Sequence, residues 1–313
     1  MRSIFKRKGK KKPGCLAIGF LADELAAACV SRGAGDRPLV EWLSRHPVET
    51  DARAAVLARL DRERDANAYQ CSYLLAAEDY QILTLEAPVV PPDELKSAVR
   101  WRLKDMLDFH IDDAMFDVLA IPADKGAVGR PGSMFAVVAK NLLIGKTQTM
   151  FEDAGVDVRV IDVPEMAQRN LSALMEPDGR AIAMLTLGDD GVLLTVTAGG
   201  ELYFSRRMEV TTTQLSRHPE TVFERITLEM QRSLDHFDRQ HHTIPLAKVV
   251  LGPMEDASGL QSYLSKNLYV PVEQMDLAAV LDLSQVPDLS NKENQRKYLM
   301  VIGAALRHEE KVL

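Results

Sequence analysis

The fold is decided by residues 181–208, AIAMLTLGDDGVLLTVTAGGELYFSRRM, where two short turn sequences separate three apolar runs. The turns are Gly-Asp-Asp-Gly at 188–191 and Ala-Gly-Gly at 198–200, and these residue types favour tight connections between antiparallel strands. We therefore predict strands over 181–187, 192–197 and 202–206. A long amphipathic helix over 219–240 and a short buried strand over 248–251 follow, so this half changes from a strand meander to helix and strand alternation.

The first half of the chain repeats this pattern. Short apolar runs at 15–20 and 25–30 predict a hairpin, although the turn at 21–24 lacks glycine, and residues 40–43 extend the same sheet. A helix is predicted to begin at Thr50, whose hydroxyl is placed to cap it, and to end near residue 64. Strands over 70–76 and 80–85 follow. The two halves together predict a mixed α/β protein of two similar lobes.

Three prolines, at positions 88, 91 and 92, mark a boundary inside the first half. After them, Leu95, Val99, Leu103 and Met106 recur at helical spacing and form one apolar stripe. Apolar runs at 116–121 and 134–139, joined by a Gly- and Pro-rich segment, predict a hairpin. This part of the chain therefore predicts a small α/β unit inserted in the first lobe.

The composition limits the class of protein. The 313 residues are 46% hydrophobic, enough to bury a core, and no apolar run approaches the roughly 20 residues that span a bilayer. The three cysteines form no C-x-x-C pair, which predicts a reducing compartment without disulfides.

Charge is distributed unevenly along the chain. The first 12 residues contain seven Lys and Arg and no acid, whereas the chain as a whole carries −7. An acidic body does not fit a nucleic-acid-binding protein, whose footprint is usually basic. Two interpretations of the tail stay open: a flexible solvated segment, or a segment attracted to the anionic inner leaflet of a membrane.

Four stretches, taken in order, resemble the PilM-like actin-ATPase family of type IV pilus assembly proteins, and most closely its MSHA pilus branch. The stretches are LEAPVVPPDELKSAVRWRLKDMLDFHIDDAMFD at 85–117, VVAKNLLIGKTQTMFEDAGVDVRVIDVPEMAQRN at 137–170, EMQRSLDHFD at 229–238 and IGAALR at 302–307. None of them is a sharp motif alone, but they are spread over nearly the whole chain in the family's order.

The resemblance implies a two-lobed actin-like, ribonuclease H-like ATPase fold around a nucleotide cleft. It implies the following divisions: a basic flexible tail at 1–13, a first lobe at 14–178 with a subdomain inserted at about 89–155, a second lobe at 179–290, and a helix at 291–313 that returns to the first lobe.

By the same resemblance, the nucleotide site is degenerate. An actin-like cleft holds phosphates with glycine-rich hairpin loops and positions Mg²⁺ through an Asp in each loop. The family's first loop has Asp-x-Gly where this chain has Gly19 and Leu21, and the second has Asp where this chain has Thr186 ahead of Gly188. The adenosine-side glycine pair is Gly252-Pro253 here.

We therefore expect no catalytic residue, no metal and no cofactor, and a protein that is not an enzyme. Weak binding of ATP and Mg²⁺ stays open, because Asp189 and Asp190 lie just beyond Gly188 and could act as displaced ligands.

The family's first lobe and its inserted subdomain bind the cytoplasmic N-terminal segment of a PilN-like single-pass inner-membrane protein. The resemblance therefore implies a cytoplasmic scaffold, peripheral at the inner membrane, in which an apolar groove recognises a peptide. Candidate groove residues are Trp101, Leu103, Phe116, Val118 and Phe135. Two alternatives stay open: a working ATP-binding switch of the same fold, and the cytoplasmic part of a type II secretion platform protein, which normally continues into a membrane helix.

Overall fold

The structure is a computed structural model, and it describes residues 11–21, 23–33, 35–49, 52–123, 132–188, 190–210, 212–254 and 257–307. The predicted basic tail, the predicted cap Thr50 and the candidate ligand Asp189 therefore lie outside the described residues, apart from Lys11 to Pro13 of the tail.

The strands are β1 Cys15–Leu21, β2 Glu24–Ser31, β3 Leu39–Pro47, β4 Gln70–Leu74, β5 Tyr80–Glu86, β6 Ala114–Ile121, β7 Ser133–Lys140, β8 Val158–Asp162, β9 Ala181–Gly188, β10 Gly191–Ala198, β11 Glu201–Met208, β12 Leu246–Leu251 and β13 Val272–Gln274. The helices are α1 Arg53–Arg64, α2 Leu95–Leu103, α3 Asn141–Asp153, α4 Pro164–Ser172, α5 Thr212–Arg217, α6 Pro219–Gln240, α7 Ala257–Asn267, α8 Leu277–Val280 and α9 Lys292–Ala305.

Two five-stranded sheets have the same topology. The first has the order β3-β2-β1-β4-β8 and the second has the order β11-β10-β9-β12-β13. In each, an antiparallel three-strand meander is followed by two strands that join in parallel. The predicted two-lobed α/β fold is therefore confirmed, and the turns at 188–191 and 199–200 end the strands where their glycines indicated.

Helices α4 and α9 lie between the two sheets. Residues of β1 and β2 alternate between two cores because successive side chains of a strand point to opposite faces. Leu16 and Ile18 pack outward in a cluster with α1 and α3, whereas Ala17, Ala26 and Ala28 pack inward in a cluster with α4 and α9. These small inward residues let α9 approach the sheet closely.

The two lobes share this inner core. Ile182 and Met184 of the second sheet belong to the same apolar cluster as Ala17 of the first sheet and Ile302 of α9. Gly303 makes the crossing of α4 and α9 possible, since a Cβ there would lie 2.4 Å from the carbonyl oxygen of Ala167. A separate cluster with α6 and α7 covers the outer face of the second sheet.

A third sheet forms the small subdomain, with the strand order β5-β7-β6 and α2 packed on one face. Its edge strand β5 begins at Tyr80, ahead of the expected subdomain boundary near residue 89. That expected boundary followed the prolines, which punctuate the connection after β5. Among the described residues, no helix combines the length and the apolar character that crossing a membrane requires.

Candidate functional site

A cavity of about 490 Å³ lies between the two main sheets. Its wall on the first lobe is formed by the β1–β2 hairpin end and residues 74–79, and its wall on the second lobe by the β9–β10 hairpin end and residues 252–253. Residues of α9 line its base. Six of the seven residues predicted for the cleft line this one cavity: Gly19, Leu21, Thr186, Gly188, Gly252 and Pro253.

At position 19, where the family resemblance predicts the loss of a metal-positioning carboxylate, the first wall packs against apolar side chains. Gly19 is buried, and a Cβ at this position would lie 3.3 Å from Cγ1 of Val301 and 3.7 Å from Cβ of Leu74. Leu21 is 42% exposed at the edge of the cavity. The missing side chain at position 19 therefore makes room for α9.

The second wall is built on a tight turn. Gly191 has φ +115°, and a Cβ there would lie 2.7 Å from the carbonyl oxygen of Met208, so only glycine fits. Thr186 is almost fully buried, and its hydroxyl donates a hydrogen bond of 2.7 Å to Oε1 of Gln168. A Cβ on Gly252 would lie 2.9 Å from Cγ2 of Thr186, so that glycine also serves close packing.

Gln168 ties α4 to the second sheet, and sequence reasoning did not identify it. Its amide Nε2 donates to the carbonyl oxygen of Met184 at 2.7 Å and to Oγ1 of Thr195 at 2.8 Å. The side chain is fully buried, and its oxygen accepts from Thr186, so the carboxamide is hydrogen-bonded at both ends. Gln168 thus joins the helix after the first sheet to the wall of the second lobe.

A second polar group consists of Tyr80, Glu165, Asp190 and Arg207, here called the Arg207 cluster. Of these residues, sequence reasoning named only Asp190, as a possible displaced metal ligand. Arg207 Nε donates to Glu165 Oε1 at 3.0 Å, its Nη2 donates to Tyr80 Oη at 2.7 Å, and its Nη1 pairs with Asp190 Oδ2 at 3.3 Å. The Tyr80 hydroxyl donates to Glu165 Oε2.

Burial and the Glu165 carboxylate raise the pKa of the Tyr80 hydroxyl far above its ordinary value, so Tyr80 remains a proton donor within the cluster. The only signal in the sequence was a Glu near the start of a helix whose other positions are mostly apolar or small.

The cations that line the cavity already have partners. Arg45 forms an ion pair with Glu24, Arg207 pairs with Glu165 and Asp190, and Arg296 forms two hydrogen bonds with Glu293 at 2.8 and 2.9 Å. Lys297 lies 3.5 Å from Glu293, and the guanidinium of Arg53 lies 4.8 Å from the ring centroid of Phe20.

The carboxylates of the first wall differ from these cations. Asp23, Glu78 and Asp79 line the cavity, and no Lys or Arg of the described residues lies within 4 Å of their carboxylate oxygens. Burial, together with the charge of Glu78, raises the pKa of Asp79 above its ordinary value. The first wall therefore presents these three carboxylates to the cavity, together with the guanidinium of Arg53.

The five candidate groove residues do not lie together. Leu103 is fully buried in the core between α2 and the small sheet, and Phe135 is 3% exposed on the opposite face of that sheet, against Leu202 of the second lobe. The prediction that these two line a groove is wrong. Phe116 of β6 pairs with Val138 of β7, so these two side chains lie on the same face of the sheet. Phe135 is three residues before Val138 on β7, and residues three apart on a strand lie on opposite faces. Phe116 and Phe135 therefore lie on opposite faces.

Trp101, Phe116 and Val118 remain accessible. Trp101 is 73% exposed on the outer side of α2, and Phe116 and Val118 are half-buried on β6, on the sheet face that packs against α2. In the part of the chain that the structure describes, β6 is an edge strand whose outer side pairs with no other strand. In the same part, no group of three His, Cys, Asp or Glu side chains is placed to hold a metal ion.

The sequence matches no protein-family model and no curated protein. Solved structures do match: a PilM–PilN type IV pilus biogenesis complex has a TM-score of 0.72 at 19% identity, covering 94% of this chain and 98% of that chain. A protein of unknown function with an actin-like ATPase fold from Bacteroides thetaiotaomicron has a TM-score of 0.51 at 10% identity, covering 90% of this chain and 97% of that chain. At these identities the likeness shows the fold, and the predicted actin-like fold is confirmed.

Proposed function

We propose that this chain is a PilM-like scaffold of a type IV pilus assembly platform. One observation carries the proposal: the likeness to the PilM–PilN complex extends over 94% of this chain. The four stretches that resemble the PilM-like family add to it, and they favour the MSHA pilus branch, whose member is MshI. On this proposal, the protein lies in the cytoplasm at the inner membrane and binds the N-terminal segment of a PilN-like membrane protein.

We propose further that the cleft does not hydrolyse ATP. Gly19 and Thr186 stand where the two carboxylates that position Mg²⁺ would be. Val301 packs beside Gly19, and the hydroxyl of Thr186 is hydrogen-bonded to Gln168. The carboxylates of Asp23, Glu78 and Asp79 would repel a triphosphate. These features support a pseudo-ATPase whose cleft has become part of the packing between the lobes.

A nucleotide-binding switch of the same fold is the second candidate. The cavity of about 490 Å³ and the retained glycines at 188 and 252 favour it. Isothermal titration calorimetry with ATP and Mg²⁺, followed by a phosphate-release assay, separates the two. We expect no turnover, whereas micromolar binding with turnover would contradict the pseudo-ATPase proposal.

We place the partner on the small subdomain, beside α2 and the free edge of β6. An extended peptide can add to an exposed strand edge, and neighbouring apolar side chains then provide specificity. Trp101, Phe116 and Val118 are accessible apolar residues of this region, which we call the α2–β6 surface.

Capture of the N-terminal peptide of the PilN-like partner tests this placement. Trp101→Ala is expected to weaken binding about tenfold or more, as central aromatic residues of interfaces usually do, and Phe116→Asp to abolish it. Leu142→Ala is the matched control, because Leu142 is 70% exposed but lies on α3. Equal capture by all variants would contradict the placement, and failure of the unaltered protein to capture the peptide would contradict the partner.

A further inference from the structure

The Arg207 cluster joins the two lobes directly. Tyr80 and Glu165 belong to the first lobe, at the start of β5 and in the first turn of α4. Arg207 and Asp190 belong to the second lobe, on β11 and beside the β9–β10 turn. Two of the hydrogen bonds of Arg207, to Glu165 at 3.0 Å and to Tyr80 at 2.7 Å, therefore cross between the lobes.

Burial makes these cross-lobe bonds costly to break. The Glu165 side chain is fully buried, and its two oxygens accept from Arg207 and Tyr80. If the lobes separated, this carboxylate would lose the guanidinium that neutralises it. A buried charge left without its partner is strongly unfavourable, so the cluster opposes separation.

Further contacts cross between the lobes, in addition to the inner apolar core that the lobes share. The buried carboxamide of Gln168 bonds with the second sheet through Met184 and Thr195. Phe135 of the small sheet packs with Leu202 of β11 in a separate apolar cluster. The Arg207 cluster differs from these two contacts because two of its members, Arg207 and Asp190, also line the cavity.

We propose that the Arg207 cluster replaces a cleft ligand and holds the two lobes in their observed arrangement without nucleotide. A ligand in the cavity would join the lobes by contacting both walls. The guanidinium of Arg207 joins them in a similar way, because it extends from the second lobe and bonds with Glu165 and Tyr80 of the first lobe. This inference deepens the proposed function and rests on it for the statement that the cleft is not a nucleotide site.

A distance measurement between the lobes tests the proposal. Spin labels on Arg62→Cys and Lys266→Cys, both exposed positions, report the separation in a Cys15→Ser background in which Cys29 and Cys71 are buried. Arg207→Met is expected to shift the distance distribution to longer values. The rate of amide hydrogen exchange in the first turn of α4 and in the first residues of β5 is expected to rise about tenfold or more, because local opening becomes easier.

Arg206→Met is the matched control. Arg206 is the neighbouring residue of β11, but it pairs with Glu229 of α6 at 3.1 Å, inside the second lobe. Its loss removes the same charge from the same strand and is expected to leave the distance unchanged. If Arg207→Met does not fold, Tyr80→Phe removes only one hydroxyl and is expected to shift the distance in the same direction.

Two results would overturn the proposal. One is an equal distance distribution for the cluster variants and for Arg206→Met. The other is a shift in the unaltered protein when ATP and Mg²⁺ are added, since a ligand would then set the arrangement. Turnover of ATP without such a shift would contradict the pseudo-ATPase proposal, whereas the unchanged distance would support the cluster as the group that sets the arrangement of the lobes.

Discussion

The two walls of the cavity come from equivalent hairpins, yet they have diverged in different ways. The β9–β10 turn of the second wall keeps glycines at 188 and 191, and its Asp190 is paired with Arg207. The turn from Leu21 to Glu24 in the first wall has no glycine, and Val301 of α9 packs against the strand before it.

The difference shows that two hairpins can occupy equivalent places in a fold while different interactions hold each of them. The second wall is constrained by backbone geometry, because its turn requires a positive φ at Gly191. The first wall is constrained by packing against α9, while its charged residues remain exposed to the cavity. Each wall therefore predicts a different response to substitution.

The largest effect is expected from Gly19→Asp, which places a carboxylate in the first wall. The new carboxylate would be placed against the apolar side chains of Val301 and Leu74, and the free energy of unfolding is expected to fall by about 3 kcal/mol or more. Urea denaturation measures this loss. Gly19→Ala, which adds only the Cβ, should cost about 1 kcal/mol; a fully stable Gly19→Asp protein would contradict the packing account.

A smaller effect is expected from Gly191→Ala in the second wall. The substitution forces a side chain into a positive φ and against the Met208 carbonyl oxygen, so it should cost about 2 kcal/mol. Leu21→Ala in the first wall is the comparison, and it should cost about 1 kcal/mol or less because Leu21 is partly exposed. Equal losses in denaturation midpoint would show that the two turns are not constrained differently.

The smallest effect is expected from Asp79→Asn, which removes a carboxylate from the first wall. Because the pKa of Asp79 is raised in the folded protein, the native state binds the proton more tightly, and stability falls as pH rises through that pKa. The Asn variant should therefore melt slightly higher than the unaltered protein at neutral pH. Thermal melts should show this advantage disappearing below the ordinary pKa of Asp; an advantage that persists there would exclude the electrostatic cause.

The sequence was informative where local chemistry fixes the backbone. The glycines of 188–191 and 199–200 located the turns of the second meander, and the apolar stripe that includes Val99 and Leu103 identified α2. The sequence could not show that β5 joins the small sheet, because the alternation of apolar residues identifies a strand but not the strand with which it pairs. Nor could it distinguish the faces of β6 and β7, since both faces are apolar, and the groove prediction failed there.

The candidate site was predictable only in part. The residues of the hairpin ends were identified because they align with a family pattern, and the structure places the described ones around one cavity. Glu165 and Arg207 are separated by 42 positions and belong to different lobes, so no local pattern relates them. Their pairing depends on the packing of α4 between the sheets, which only the tertiary structure reveals.

The position of α9 between the sheets has a consequence for biosynthesis. Ile302 and Val301 complete the core beneath Ala17 and Gly19 of β1, almost 300 residues earlier in the chain. A ribosome releases β1 long before α9. The apolar inner face of the first sheet is therefore exposed to solvent while the second lobe is synthesised. We therefore expect nascent chains that end before α9 to bind chaperones, and folding to be completed late and as a single cooperative event.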